Sequence, residues 1–412
     1  MENKRILLLG GNFYPEPTGI GKYNGEMIDW LATHGFDCTV VTTYPYYPQW
    51  KLQKPWSRRR FWYTSEVRVT DGDAYVRVHR CPHYVPSKPN GKKRMLLDLS
   101  FTISAFFKVL QLLAMRKYDV VITVAPPFHL GLLAVLYKRV RGAKFLYHVQ
   151  DLQIEAARDL NLIKQPWILK ALFRTERFIF KEADQISTIS EGMIRHIEEK
   201  SGKEVQFFPN WSNISFFYPL TDKAGIKRIY GFLPTDKIIL YSGAIGEKQG
   251  LDTILEAADR LSGQKDIRFV ICGSGPYKEQ LEETAKGKGL QNVAFLPLQP
   301  LQTFNRFLNM ADVHLIIQKS GAADLVMPSK LTNILAVGGL SIVTADPGTC
   351  LYDVVAGNEI GLLIPPEDPE ALAGAIQQAL GQDHSEIHRN SRSYAENYLS
   401  IDGILTRYFE SV

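Results

Sequence analysis

The sequence predicts an α/β protein made of two doubly wound parallel-sheet domains, and three observations carry that expectation. Short runs of aliphatic and β-branched residues at 5–10, 38–42, 120–124, 144–149 and 185–189 alternate with amphipathic helical patterns. The same rhythm returns at 237–241, 267–272, 293–295, 313–317 and 341–344, after an irregular stretch opened by Pro209, Asn210 and Trp211. At 412 residues the chain also exceeds the size at which a single hydrophobic core keeps growing. Strands separated by helices pair in parallel, so each half forms its own sheet. The expected domains are 1–210 and 211–390, with 391–412 a C-terminal helical segment crossing back to the first domain.

Composition sets the class. Hydrophobic residues at 45% and charged residues at 22% are ordinary for a globular chain. A net charge of +5 suits a phosphorylated ligand or an anionic membrane surface and is far from a nucleic-acid tail. The basic residues bunch at Arg58, Arg59 and Arg60 and again at Lys88, Lys92, Lys93 and Arg94, clusters that also read simply as solvated loops. Cys38, Cys81, Cys272 and Cys350 are scattered with no metal or disulfide spacing. The opening residues MENKRILLLGG lack the apolar length and cleavage site of a signal peptide, so a cytoplasmic location is expected. Residues 95–115 have bilayer length, but Asp98 and Lys108 interrupt them; a buried crossover helix is the first reading and membrane contact the second.

In the first half, the strand at 5–10 runs into the proline and glycine loop NFYPEPTGIG, followed by a helix at 23–33 and the strand 38–42. The loop does not follow the GxGxxG spacing of dinucleotide binders, which disfavours a nicotinamide cofactor. Residues 44–91 are irregular, aromatic and basic, with a strand at 74–80; they read either as a surface that meets an acceptor or a membrane, or as a folded excursion. The strand 144–149 delivers His148, Gln150 and Asp151 to its carboxyl end, where open α/β sheets bind ligands. A helix around 168–181, a strand at 185–189, a helix opened by Ser190 and Glu191, and a strand at 205–208 complete this half.

The second half opens on IILYSGAIGEKQG, a strand leading into a loop with Gly243, Gly246, Lys248 and Gly250 and then a helical pattern from Leu251. Glycines let backbone approach a ligand, and the first-turn N–H groups of a helix favour an anion. The same segment also reads as an ordinary strand-to-helix turn with a surface lysine. Two further stretches lie at the same expected sheet edge: Gly273, Ser274, Gly275 and Pro276, and DLVMPSKLTN at 324–333, whose Pro328 and Ser329 look like a helix start. Lys330 would then stand beside free backbone N–H groups. Two lysines and two helix N-termini on one edge are chemistry for a diphosphate. A helix after Asp368 and an amphipathic, tyrosine-rich segment at 391–409 close the chain.

Taken together, FYPEPTGIGKYNGEM, HVQD, STISEGM, FPNW, YSGAIGEKQGLD, VICGSGP, ADVHLII and PSKLTNILAVGG resemble glycosyltransferase family 4, the retaining transferases of GT-B architecture, whose two Rossmann-like domains face across a cleft. KSGAADLVMPSKLTNILAVGG looks most like the colanic-acid-type fucosyltransferases and their relatives. The resemblance implies that Gly19 and Gly21 approach donor phosphate and acceptor, that Tyr14 and Asp151 lie on the acceptor side, and that His148 contacts the donor sugar. It implies that Lys248 binds the diphosphate, that Gly273 and Gly275 lie by the nucleotide, and that Asp324, Leu325, Ser329 and Asn333 line the sugar and ribose. Two departures stand out. The family's arginine shortly before the lysine is Ala244 here, and its paired glutamates fall on Leu325 and Asn333. Lys330 and Asp324 are candidates to restore those charges.

The expected activity is transfer of a sugar, with retention, from a nucleotide-diphosphate donor, GDP-fucose for preference, to a glycan or lipid-linked acceptor. No metal or other cofactor is expected, since lysines and helix dipoles can hold the departing diphosphate. The expected partners are the nucleotide sugar, the acceptor and the cytoplasmic face of the inner membrane, with no nucleic acid. A sugar-nucleotide epimerase or hydrolase, or a non-catalytic nucleotide-sugar-binding subunit, remains as an alternative.

Overall fold

In the computed structural model the described residues are 4–410, apart from 18, 71, 116, 160–162, 164 and 321–327; the side chains of Ala156, Asp159 and Lys248 also lie outside the description. The chain divides into two units, Met1–Phe208 and Pro209–Val412.

The first unit is built on eight strands: β1 (Arg5–Gly10), β2 (Asp37–Thr43), β3 (Thr64–Val69), β4 (Tyr75–Cys81), β5 (Val120–Ala125), β6 (Lys144–Val149), β7 (Gln185–Thr188) and β8 (Val205–Phe207). Their order across the sheet is β3-β4-β2-β1-β5-β6-β7-β8, parallel throughout except for the antiparallel β3–β4 pair. Chain order reverses direction between β1 and β5, the switch point at which an open sheet leaves room beyond its carboxyl edge. All six residues of β5 are buried, as expected for a central parallel strand covered on both faces. Leu7, Leu9, Val121, Phe145 and Tyr147 share one core with Phe101, Val109, Leu133 and Phe180 from the covering helices.

The second unit repeats the plan with β9 (Lys237–Ala244), β10 (Ile267–Ser274), β11 (Val293–Leu296), β12 (Val313–Ile316), β13 (Ser341–Thr344) and β14 (Leu362–Ile364). The order is β11-β10-β9-β12-β13-β14, all parallel, so its switch point lies between β9 and β12. One face packs Ile239, Tyr241, Phe269 and Leu315 against Ile254, Leu255, Leu372 and Ile376. The other packs Ile238, Leu240 and Val270 against Phe307, Leu331, Leu335 and Ala395. The α/β class and the two Rossmann-like parallel sheets are therefore as the sequence predicts.

Local signals explain much of the detail. Ser190 caps Glu191–Ser201 by accepting from the Met193 N–H, and Asp368 caps Pro369–Gly381 by accepting from Glu370 and Ala371. Four features differ from expectation. β3 has too few apolar residues to show, because as an edge strand it buries only alternate positions, partly. β14 is three residues long. The stretch after Trp211 contains a helix, Lys223–Ile229, capped by Asp222. The segment at 391–409 is two helices, Ser385–Tyr398 and Ile401–Phe409, the first of which packs on Ser329–Ala336.

The helix Gly91–Met115 is the clearest correction. It is buried on one side only: Leu97, Phe101, Ala105, Val109 and Leu112 turn to the core, whereas Leu96, Leu99, Ile103, Phe107 and Leu110 are exposed. The polar residues that seemed to interrupt it are used inward. Asp98 accepts from Gln153 Nε2 at 2.7 Å, and Lys108 is buried, its ammonium bonded to Gln111 and 5.4 Å above the Tyr63 ring.

Candidate functional site

At the carboxyl edge of the first sheet, β1 and β5 end at Gly10 and Ala125, and the loop after β1 is pinned rather than loose. Its fastener is Glu16, a residue sequence reasoning passed over. The buried carboxylate accepts from the Tyr46 and Tyr47 N–H groups at 2.9 and 2.8 Å and from Asn12 Nδ2 at 2.7 Å. Burial nevertheless raises its pKa, because three donors do not replace bulk water. A Cβ on Gly21 would stand 2.8 Å from Glu16 Cβ and Oε2, so packing alone requires a glycine there. Gly19 opens the helix Gly19–Thr33 with φ +60, a left-handed conformation that favours glycine, and nothing lies within 4 Å of its missing Cβ.

The basic and aromatic excursion is folded around Arg80, the second overlooked residue. Its guanidinium is fully buried and donates to Glu66 Oε1 at 2.7 Å, to the Thr43 carbonyl at 3.2 Å and to the Tyr14 carbonyl at 2.8 Å. Tyr14 itself is exposed, with the Arg68 guanidinium 3.9 Å above its ring. A buried arginine that collects carbonyls from separate loops rigidifies them, since an unmet donor inside would be costly.

His148, the next-to-last residue of β6, is 4% exposed, with Nδ1 3.0 Å from Ser187 Oγ on β7 and Phe208 edge-on at 4.9 Å. Burial pushes its pKa down to about 3, so the imidazole is neutral throughout the physiological range. It is suited to hydrogen bonding and not to carrying charge. Asp151 is exposed just beyond the strand.

The carboxyl edge of the second sheet is where the sequence places its glycines and lysines. β9 and β10 run side by side to Gly243–Ala244 and Gly273–Ser274. A Cβ on Gly273 would stand 1.9 Å from the Gly243 carbonyl oxygen, and one on Gly275 1.9 Å from the Ile245 carbonyl oxygen. These two glycines are thus demanded by backbone packing. Gly243 is different: its Cβ would meet Lys330 Cδ and Nζ and Tyr241 Oη at 3.6 Å, ordinary contact, so packing leaves this position free. Gly246 precedes the 3-10 turn Glu247–Gln249, and Gly250 closes it with φ +67.

Lys330 stands at the start of the helix Ser329–Ala336, next to exposed Ser329, with its ammonium 4.1 Å above the Tyr241 ring. No carboxylate pairs with it among the described residues. Desolvation lowers its pKa to about 7. A partly buried, desolvated ammonium with no counter-ion among the described residues, beside a glycine that packing does not require, suits an anion. Lys319, missed in the sequence although it follows β12 at this edge, lies with Cγ 3.1 Å from where a Gly250 Cβ would stand. Lys248 lies in the 3-10 turn between Gly246 and Gly250, and its side chain is outside the described residues, as are Asp324 and Leu325.

Asn333, at the position of the family's second glutamate, accepts from Ser212 Oγ at 2.9 Å and so fastens the start of the second unit. Among the described residues no three His, Cys, Asp or Glu side chains group as metal ligands do.

Comparison with known proteins fits these features. The profile described as "Glycosyl transferase 4-like domain" matches residues 18–211, and "Glycosyl transferases group 1" matches 222–398. The chain is 39% identical to the putative colanic acid biosynthesis glycosyl transferase WcaI of Escherichia coli (strain K12) over 421 residues, 99% of each protein. Among solved structures, sucrose-phosphate synthase from Thermosynechococcus elongatus superposes with a TM-score of 0.74 at 18% identity, covering 99% of this chain and 98% of that one. Anabaena Alr3699/HepE in complex with UDP and glucose superposes with a TM-score of 0.68 at 11% identity, covering 99% of each. Both halves are thus of the glycosyltransferase class. The chain belongs to the GT-B glycosyltransferase family.

Proposed function

We propose that this glycosyltransferase serves polysaccharide synthesis, moving a hexosyl group with retention and without a metal from a nucleotide-diphosphate sugar to a glycan or lipid-linked acceptor. The observation that carries the reading is Lys330, a desolvated ammonium with no carboxylate partner among the described residues, beside Gly243 at the switch point of the second sheet. It supplies the cation that the family's arginine would supply at Ala244. Lys248 and the amino end of Ser329–Ala336 share the load on the diphosphate. Each well-placed donor on the leaving oxygens is worth a few kcal/mol of barrier.

In the proposed step the bond from the sugar's anomeric carbon to the diphosphate oxygen breaks while the acceptor oxygen bonds to the same face. The acceptor's proton passes to the departing phosphate, so no protein base is needed. His148, neutral, hydrogen-bonds the donor sugar. Tyr14, Asp151 and the loop held by Glu16 serve the acceptor. The WcaI relative, named for colanic acid biosynthesis, supports a polysaccharide role, and the UDP and glucose in the Anabaena protein support a nucleotide-sugar donor. GDP-fucose follows from the likeness of residues 319–339 to colanic-acid-type enzymes.

The cytoplasmic membrane face is the proposed location. Leu99, Ile103 and Phe107 form an exposed stripe at helical spacing, and the aromatic turn at Phe61, Trp62 and Tyr63 is tied to that helix by the Tyr63 hydroxyl on the Ser104 carbonyl at 2.9 Å. Arg58, Arg59, Arg60, Lys92, Lys93 and Arg94 flank these segments in sequence, each worth roughly 1 kcal/mol near anionic lipid.

A thermal-shift screen with GDP, UDP, ADP and TDP and their sugar conjugates tests the donor reading. One nucleotide should raise the melting temperature of wild type and lose that effect in Lys330→Ala and Lys248→Ala; no shift with any of them sinks it. The commitment of Asn333 to Ser212 favours one second reading, a non-catalytic nucleotide-sugar-binding subunit, which would show the selective shift but no transfer to any lipid-linked acceptor.

A further inference from the structure

At the opposite end of the second sheet, away from the loops of the phosphate edge, a cavity of about 550 Å³ opens beside the start of β12 and the residues that follow the helix Ser329–Ala336. Its walls carry Lys223, His314, His388, Arg389 and Arg392, against a single carboxylate, Glu396. That carboxylate is taken: it accepts from Arg392 Nε at 2.7 Å, while the rest of the Arg392 guanidinium donates to the carbonyls of Ala336 and Phe217. Lys223 has a carbonyl, that of Ala311 at 3.2 Å, and Arg389 is exposed; neither has a carboxylate at ion-pairing distance among the described residues.

Two histidines sharpen the picture. His314 is 2% exposed, and its Nδ1 has no hydrogen-bond partner among the described residues. Burial, then Lys223 and His388, press its pKa down, as a locally positive field would. His388 Nδ1 donates to the Gly338 carbonyl at 2.6 Å, which fixes the ring in the wall. Asp312 acts on Lys223 and Asp383 on Arg389, but basic side chains still outnumber carboxylates in the wall of this open hollow, which favours an anion. A second hollow of about 220 Å³ shares Ser393 with the first and is lined by Asn358, Glu359, Asn390, Tyr394, Asn397 and Tyr398, the carboxylate able to accept from a sugar hydroxyl. Amides beside tyrosine rings are a surface for sugar hydroxyls and sugar faces.

We propose that these neighbouring hollows form a binding site for a small phosphorylated sugar, its phosphate held by Lys223 and Arg389 and its hydroxyls by Asn390 and Asn397. The site is separate from the donor edge and does not depend on the activity proposed above. The helix Ser329–Ala336 spans the distance, with Lys330 in its first turn and the Arg392 clasp at its last residue.

Titration calorimetry with glucose 6-phosphate, inorganic phosphate and free glucose on the full chain tests this. Glucose 6-phosphate should bind with a Kd under roughly 1 mM, phosphate more weakly and glucose not at all. Lys223→Gln and Arg389→Gln should each weaken the sugar phosphate by about tenfold or more, the loss of one charged contact, and Lys330→Gln should leave it unchanged. Unchanged binding in both cavity variants, loss in Lys330→Gln, or no binding at all would overturn the proposal. Lys223 holds an internal carbonyl, so its variant is checked by circular dichroism; exposed Arg389 decides the matter if Lys223→Gln does not fold.

Discussion

Raising the pH from 7 to 9 should weaken nucleoside-diphosphate binding by about fiftyfold, because the free protein releases the Lys330 proton within that window. The Lys330 pKa of about 7 is set by desolvation, and a bound diphosphate restores the charge and takes up a proton. Apparent affinity then falls by up to about tenfold per pH unit above 7, and binding at pH 8 draws about 0.9 proton from the buffer. The diphosphate itself is about nine-tenths ionised at pH 7 and more above it, its last pKa being near 6, so nearly all of the slope belongs to the protein. Calorimetry in two buffers of different ionisation enthalpy reads both quantities. Lys330→Arg keeps a cation that does not titrate and should bind with a flat profile. The same shift predicts a stability effect of definite sign. The folded pKa lies below the unfolded 10.5, so the unfolded chain binds more protons between pH 7 and 10.5, and stability rises with pH across that window. Below pH 7 the buried charge costs up to about 5 kcal/mol, so Lys330→Met should be more stable than wild type at pH 6 and equal to it near pH 11. Affinity independent of pH from 7 to 9, together with a buffer-independent enthalpy, would refute the assignment of Lys330 to the phosphate.

Other perturbations separate packing from binding. Gly275→Ala, whose Cβ would stand 1.9 Å from a carbonyl oxygen, should destabilise the second unit by more than about 4 kcal/mol in urea melts, whereas Gly243→Ala should change stability by less than about 1 kcal/mol while weakening nucleotide. Arg80→Met strands Glu66 and two carbonyls and should cost about 3–5 kcal/mol, read as a lower urea midpoint. Replacing Leu99, Ile103 and Phe107 by Gln should abolish flotation with anionic liposomes without lowering the melting temperature, since all three are exposed; unchanged flotation would remove that helix from the membrane face.

The periodicity of apolar residues marked nearly every central strand because both faces of a parallel sheet are covered, leaving runs such as ILLL and VVITV with no polar interruption. That signal fails at edges. β3 alternates half-buried with exposed residues and pairs with β4 through backbone bonds that leave no trace in composition. It also misleads for Gly91–Met115, where apolar residues surround the helix but only one side meets the core. For the candidate site, glycine and lysine spacing marked the edge, and the structure sets the Lys330 side chain beside Gly243 there. What spacing could not give is the reason for each glycine: Gly21, Gly273 and Gly275 answer to neighbouring atoms, and only coordinates separate them from Gly243. Glu16 and Arg80 were invisible because their partners are backbone groups contributed by remote loops.

Arg392 and Ser400 carry a consequence for how the chain comes off the ribosome. Arg392 clasps the Phe217 carbonyl across 175 residues, and the backbone at Ser400 pairs with Ser212, so the opening of the second unit is completed by residues made near its close. At about 5–20 residues per second, the 209–217 segment waits roughly ten to thirty-five seconds for these partners. The second unit can therefore close only once nearly all of its own sequence has been made, and its apolar faces need guarding until then.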